Sequence, residues 1–172
     1  MGRRRRPVGA VKAATHLRGL GHERVGFIGW DDGSPVGLDR RDGWSRALGL
    51  DGDEERRLTA AGDDTILAGA EGMARLLEQG ADAAVCASDT LSIGAFTEVR
   101  RRSRDDVDLV GFDDTPVSRT LGLASIRQPV EAVAAAVLDM VLAQLADPDV
   151  THSGLLIEPT LVTHERPDFL LS

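Results

Sequence analysis

Short apolar strands and helix-period segments alternate along this chain, and that alternation leaves few architectures open. Val25-Gly-Phe-Ile-Gly29, a weaker run at 58–61, Ala83-Ala-Val-Cys-Ala87 and 107–112 read as buried strands. Residues 124–127 read as extended, and a last extended region at 155–158 and 161–163 is broken by Pro159. Between them, apolar residues recur at helical spacing. A helix opening at Pro7 carries Val8, Val11, Ala14 and Leu17 and ends at Gly19 and Gly21. One at 40–50 turns Trp44, Ala47 and Leu48 inward, and one at 65–79 sets Ile66, Leu67, Ala70, Met73, Ala74 and Leu77 on one face. Ser88-Asp89 caps a helix running to about 102, and 130–145 is a strongly apolar helix. Helices between successive strands imply right-handed crossovers and a mostly parallel sheet covered on both faces. Such a sheet presents ligand-binding groups at the C-terminal ends of its strands. That edge is expected to collect Trp30, Asp31, residues 62–64, Ser88, Asp89, Asp113 and Asp114.

Bulk properties exclude several classes. The 172 residues suit one domain, 42% hydrophobic content supports a core, and a net charge of −8 opposes nucleic-acid binding by bulk electrostatics. The arginines at 3–6 and 100–104 run against that trend but read as a solvated tail and helix end, because aromatics are 3% and Tyr is absent. No apolar run approaches the ~20 residues needed to span a bilayer, and no signal-like hydrophobic segment follows the basic tail. A cytoplasmic location is therefore expected. Cys86, the single cysteine, lies inside an apolar run and reads as core.

Motifs that would signal catalysis are missing. No GxGxxG follows a strand, no phosphate-binding GxxxxGK[ST] occurs, and there is no GxSxG elbow. His16, His22, His152 and His164 lack metal-ligand spacing. A response-regulator pocket would need a lysine after the last strand, and Lys12, the sole lysine, sits in the first helix. The reading is a protein without cofactor or metal, and not an enzyme. Asp and Arg side chains converging on one edge can bind hydroxyls or a flat polar ligand.

Five stretches resemble the LacI/GalR family of bacterial transcription regulators. Leu17-Arg-Gly-Leu-Gly-His-Glu-Arg-Val-Gly-Phe-Ile-Gly29 is similar to its "HLxxLGHxxIxFIGG" stretch, and Arg40-Arg-Asp-Gly-Trp-Ser-Arg-Ala-Leu48 to its "RxxGFxxAL" helix. Ala87-Ser-Asp89 with Gly94 resembles "xNDxxAxG", Val110-Gly-Phe-Asp-Asp114 resembles "VGFDD", and Ile126-Arg-Gln-Pro129 resembles "TTVRQP". The matches fall in order across residues 8 to about 165.

The resemblance implies a type I periplasmic-binding-protein-like lobe, an α/β fold with a parallel sheet and helices on both faces. It implies the C-terminal portion of the effector-binding domain, with the N-terminal lobe and helix-turn-helix headpiece largely missing from these residues. Residues 1–7 are then a basic tail, 8–129 and 159–172 the C-terminal lobe, and 130–158 a helix and strand that in the family belong to the other lobe. The implied function is sensing a small effector, a sugar or nucleobase-like molecule, to control the operator affinity of a dimer. DNA is reached only through the headpiece, and no membrane is involved. The alternatives are a solute-binding protein of transport, which should carry an export signal, and a small α/β enzyme.

Carried over by position, Arg40 and Asp113 match ligand-contacting residues, Ser88 falls in the cleft, and Gln128 falls at the inter-lobe crossover. Asp64 takes a place often held by a stacking aromatic, for which Trp30 could substitute; Asp89 is expected to cap its helix. The chain departs from the family at Arg5-Arg6, in a shorter connection between Phe96 and Val107, and at Ala124-Ser125. Family dimers imply a contact through residues 91–96. With the other lobe absent, the 130–145 helix, apolar over most of its girth, is expected to be left bare.

Overall fold

The structure, a computed structural model, describes residues 7–30, 33–151 and 154–165. The tail at 1–6, Asp31, His152 and the 166–172 end of the expected lobe lie outside the described residues.

The expected alternation becomes a six-stranded sheet. In chain order its elements are α1 (Val8–Gly19), β1 (Val25–Trp30), α2 (Pro35–Leu48), α3 (Gly52–Arg57), β2 (Thr59–Gly62), α4 (Ile66–Glu78), β3 (Ala83–Cys86), α5 (Asp89–Arg101), β4 (Asp108–Phe112), α6 (Pro116–Thr120), β5 (Ala124–Arg127), α7 (Val130–Ala146) and β6 (Thr160–Val162). The strand order is β2-β1-β3-β4-β5-β6. All pairs are parallel except β5–β6, which is antiparallel. Strands buried on both faces need apolar side chains throughout, which explains the unbroken runs in β1 and β3.

Alternate residues of β1 face opposite layers. Phe27 meets Trp44 of α2, ring centroids 5.4 Å apart, and the Trp44 indole N–H donates to the Val25 carbonyl at 3.1 Å. On the other face, Gly26 and Gly72 leave room for Leu76 and Ile28. Cys86 is fully buried, as its surroundings in sequence indicate, and burial pushes its thiol far above the ordinary range.

Several boundaries differ from the sequence reading. The second helix begins at Pro35 rather than near 40, because Ser34 caps it (Oγ accepts from the Gly37 N–H, 3.0 Å) and proline favours the first turn. Ala47 faces solvent rather than the core. The short helices α3 and α6 stand in connections to which the sequence reading gave no element, started by the caps Asp51 and Thr115. On α4 the buried residues are Gly69, Gly72, Met73 and Leu76, whereas Ile66 and Leu67 are exposed. The cause is backbone contact with α5: a Cβ on Gly69 would collide with the Leu91 carbonyl, and one on Gly94 with the Ile66 carbonyl. Small residues set the approach and rotate the larger ones outward.

At the C-terminal end only Thr160–Val162 is a strand, and Leu155 and Leu156 are exposed in irregular chain. Residues 91–96, the expected dimer contact, are used by this chain's own core: Leu91 and Ala95 are fully buried and Phe96 nearly so. Helix α7 is bare as expected, with no buried residue along its length.

Candidate functional site

The C-terminal edge of β1, β3 and β4 gathers a polar lip around one arginine. Arg40 sits on α2, which follows β1 and passes over that edge. Its guanidinium carbon lies 4.1 Å from the Phe112 ring centroid and 5.4 Å from that of Trp30, so it sits over two aromatics at strand ends. Its Nη1 donates to the Ala87 carbonyl, and its Nη2 stands 4.0 Å from Asp113 Oδ1. The side chain is 14% exposed, and burial lowers its pKa while Asp113 and Asp64 oppose the shift.

Asp113 follows the last residue of β4 in a left-handed conformation, φ 95°. Its N–H donates to the Ile126 carbonyl at 3.0 Å, which leaves the half-exposed carboxylate facing Arg40. Burial raises its pKa against the pull of Arg40, and Asp89 and Asp64 push the same way as burial. Ser88 caps α5: its Oγ accepts from the Leu91 N–H at 3.2 Å and donates to Asp64 Oδ1. Gln128 lines a cleft of about 190 Å³ with Val36, Asp39, Arg40, Phe112 and Leu156. The expected site residues are thus brought to one edge, with Arg40 common to the Asp113, Asp64 and Gln128 sides. A larger groove of about 260 Å³ opens at the opposite ends of β4 and β5, away from Arg40 and Asp113.

Two acids have other duties. Ser88, not Asp89, is the α5 cap. Asp89 is 1% exposed and accepts from the Thr115 N–H (2.6 Å), the Ser118 hydroxyl (2.6 Å) and the Ser125 hydroxyl (2.7 Å). Gly111 is obligatory beside it, since a Cβ there would collide with Asp89 Oδ1. Asp114, also 1% exposed, turns inward to Arg119, Arg127 and His164. Burial alone would raise its pKa, but hydrogen bonds from His164, Arg127 and Arg119 together hold it below the usual carboxylate range. Sequence reasoning missed Asp114's partners and the Phe112 platform. No local pattern signals Asp114's partners, because Asp113 and Asp114 lie beyond the end of β4 with positive φ and His164 is fifty positions away.

Among the described residues no group of three or more His, Cys, Asp or Glu could hold a metal ion, and no helix is long and apolar enough to cross a membrane.

This sheet with a polar lip at its C-terminal edge has relatives among known proteins. Residues 14–165 match the periplasmic binding protein-like domain family, and the chain belongs to that family. The relatives are LacI/GalR-type regulators, as the motifs imply. The chain is 32% identical over 161 residues to the HTH-type transcriptional regulator MalR of Streptomyces coelicolor, covering 87% of this chain and 46% of that protein. It is 31% identical over 166 residues to the HTH-type transcriptional regulator GalR of Escherichia coli, covering 90% and 47%. Among solved structures it is similar to a transcriptional regulator CelR–cellobiose complex (27% identity, TM-score 0.80, covering 92% of this chain and 52% of that one). A regulatory protein of LacI family from Chloroflexus aggregans superimposes with TM-score 0.83 at 26% identity, covering 94% and 61%. The chain therefore spans about half the length of the curated relatives it matches.

Proposed function

We propose that these residues form the C-terminal lobe of an effector-binding domain in a LacI/GalR-type transcription regulator. The lobe takes a small polyhydroxylated or purine-like effector at the Arg40 lip, and the regulator's operator affinity responds. Arg40, Asp113, Asp64, Ser88 and Gln128 are the contacting side chains, and Trp30 and Phe112 supply the aromatic surface. Helix α7 and the chain to 158 belong to the second lobe, whose packing would cover the apolar girth that is bare here. The regulator works in the cytoplasm as a homodimer and reaches DNA through a separate headpiece.

The observation that carries this reading is the arginine lying over the Phe112 and Trp30 rings, its guanidinium carbon 4.1 and 5.4 Å from their centroids, and 4.0 Å from Asp113. A fixed donor plane beside a fixed carboxylate is suited to neighbouring hydroxyls, which donate to one and accept from the other. Lobe closure over such a guest shifts an existing equilibrium by the difference in affinity between the two arrangements. A CelR–cellobiose complex among the similar structures adds to the case for a sugar.

The test is calorimetric titration of the regulator with cellobiose, ribose and guanine. Binding of one of these, weakened about tenfold or more by Arg40→Ala and by Asp113→Asn, is expected. Binding that neither substitution alters would place the effector elsewhere, and failure of all neutral sugars and purines would remove the sensing role.

A further inference from the structure

We infer that Asp114 is the positioning residue for both strands through which the 128–159 excursion leaves and re-enters the sheet. The chain departs after Arg127, the last residue of β5, and returns at Thr160, the first of β6. Asp114 belongs to neither strand; it lies in the loop between β4 and α6, with its side chain fully enclosed. Arg127 Nε donates to Oδ2 at 2.6 Å on the departing side, and His164 Nε2 lies 2.7 Å from Oδ1 on the returning side. Arg119 of α6 adds a contact to Oδ2 at 2.9 Å. Each carboxylate oxygen thus serves a different crossing.

The anchor is itself held. The Asp114 N–H donates to Ser125 Oγ at 2.9 Å, and the Ser125 hydroxyl donates to Asp89 at 2.7 Å. Asp89 in turn ties the first turn of α5 to Thr115 and Ser118. The crossings are therefore fastened to α5 and the β4–α6 loop through one continuous hydrogen-bonded path. Lys12 grips the returning side alone, at Glu158 (3.3 Å) and the Pro159 carbonyl (2.9 Å). For a carboxylate out of water held by two arginines and a histidine, loss of any one partner is costly, because its charge would be left poorly paired.

Its place in sequence gives the anchor consequence. Asp113 and Asp114 are both left-handed, φ 95° and 52°, so the turn sends one carboxylate to Arg40 and the next to the crossings. The lip and the crossing are one peptide apart. Asp114 acts through Arg127 and His164, one beside each crossing. This holds whether or not the lip binds an effector.

Hydrogen-exchange mass spectrometry on the 172-residue chain tests it, with Asp114→Asn, His164→Gln and Arg127→Gln, and Asp114→Glu as the conservative variant. Exchange at 124–127 and 160–162 is expected to rise about tenfold in each of the first three, with β1 and β3 unchanged and partial recovery in Asp114→Glu. Unchanged exchange at both crossings overturns the proposal. So does an equal rise in β1 and β3, which marks general destabilisation. If Asp114→Asn does not fold, His164→Gln and Arg127→Gln decide the matter alone, since both side chains reach solvent.

Discussion

Carboxylates only a few residues apart titrate in opposite directions here, and that sets the acid response. Glu98, between Arg101 and Arg102, is pulled from an ordinary 4.5 to about 2: the Arg101 hydrogen bond lowers it, burial opposes, and the Arg102 hydrogen bond lowers it further. Asp114 is also held down. A depressed carboxyl contributes stability above its unfolded pKa and loses it as pH falls through the folded value. Asp113 has the opposite sign: its folded pKa is raised, so its ionised form costs stability and protonation relieves that cost as pH falls. Urea unfolding is therefore expected to show stability falling from the ordinary carboxylate range down to about pH 2, with Glu98→Gln flattening the lower part of the curve. Asp113→Asn should be neutral or stabilising at neutral pH in the absence of ligand. A stability curve in Glu98→Gln with the same acid slope as the parent would show that its pairing with the two arginines contributes nothing.

At the scale of elements, the closest packing is between α4 and α5, and glycine makes it. Sequence periodicity placed Ile66 and Leu67 on the buried face because hydrophobicity was the only signal weighed. In the fold, the helix that can approach α5 most nearly does so through Gly69 and Gly94, and the bulky residues beside them turn to solvent. Gly94→Ala forces a methyl group into the Ile66 carbonyl and is expected to lower stability by about 1–3 kcal/mol, despite the better helix propensity of alanine. Thr97→Ala, on the exposed side of α5, should stay within about 0.5 kcal/mol. Urea midpoints of the two variants make the comparison, and a neutral Gly94→Ala would mean the helices can part without loss. Strand positions were readable because burial on both faces demands apolar runs. The caps at Asp51 and Thr115 start helices that hydrophobic periodicity cannot detect, since α3 has no buried residue and α6 only Ser118.

Over the whole molecule, the core is confined to the sheet and the helices packed on it, and α7 contributes nothing to it. Val133, Val137, Leu138, Val141, Leu142 and Leu145 are all at least 45% exposed. Removing apolar area that was never buried costs little, whereas truncating a fully buried Leu91 leaves a cavity. Leu142→Ala is expected within about 0.5 kcal/mol of the parent and Leu91→Ala to lose about 2–5 kcal/mol. Chemical denaturation of each variant reads the difference. The same exposed girth predicts strong binding of a hydrophobic dye by the 172-residue chain, reduced by Leu138→Glu together with Leu142→Glu. Dye binding unaltered by that pair would mean the exposed apolar surface lies elsewhere.

The fold class and the polar edge were legible in the order of residues, and the family resemblance put Arg40 and Asp113 on that edge; the contact between them is seen only in the fold. Apolar period and turn chemistry are local properties, and a parallel sheet sends every strand end to the same side. The division of labour between Asp113 and Asp114, the demotion of Asp89 from cap to internal tie, and the glycine contact between α4 and α5 were not legible. Each depends on which distant groups a side chain meets: Asp114 on His164, fifty positions away, and Asp89 on Ser125, thirty-six away. Separations of that size carry no signal in a local pattern, because only the folded sheet brings those partners within hydrogen-bond reach.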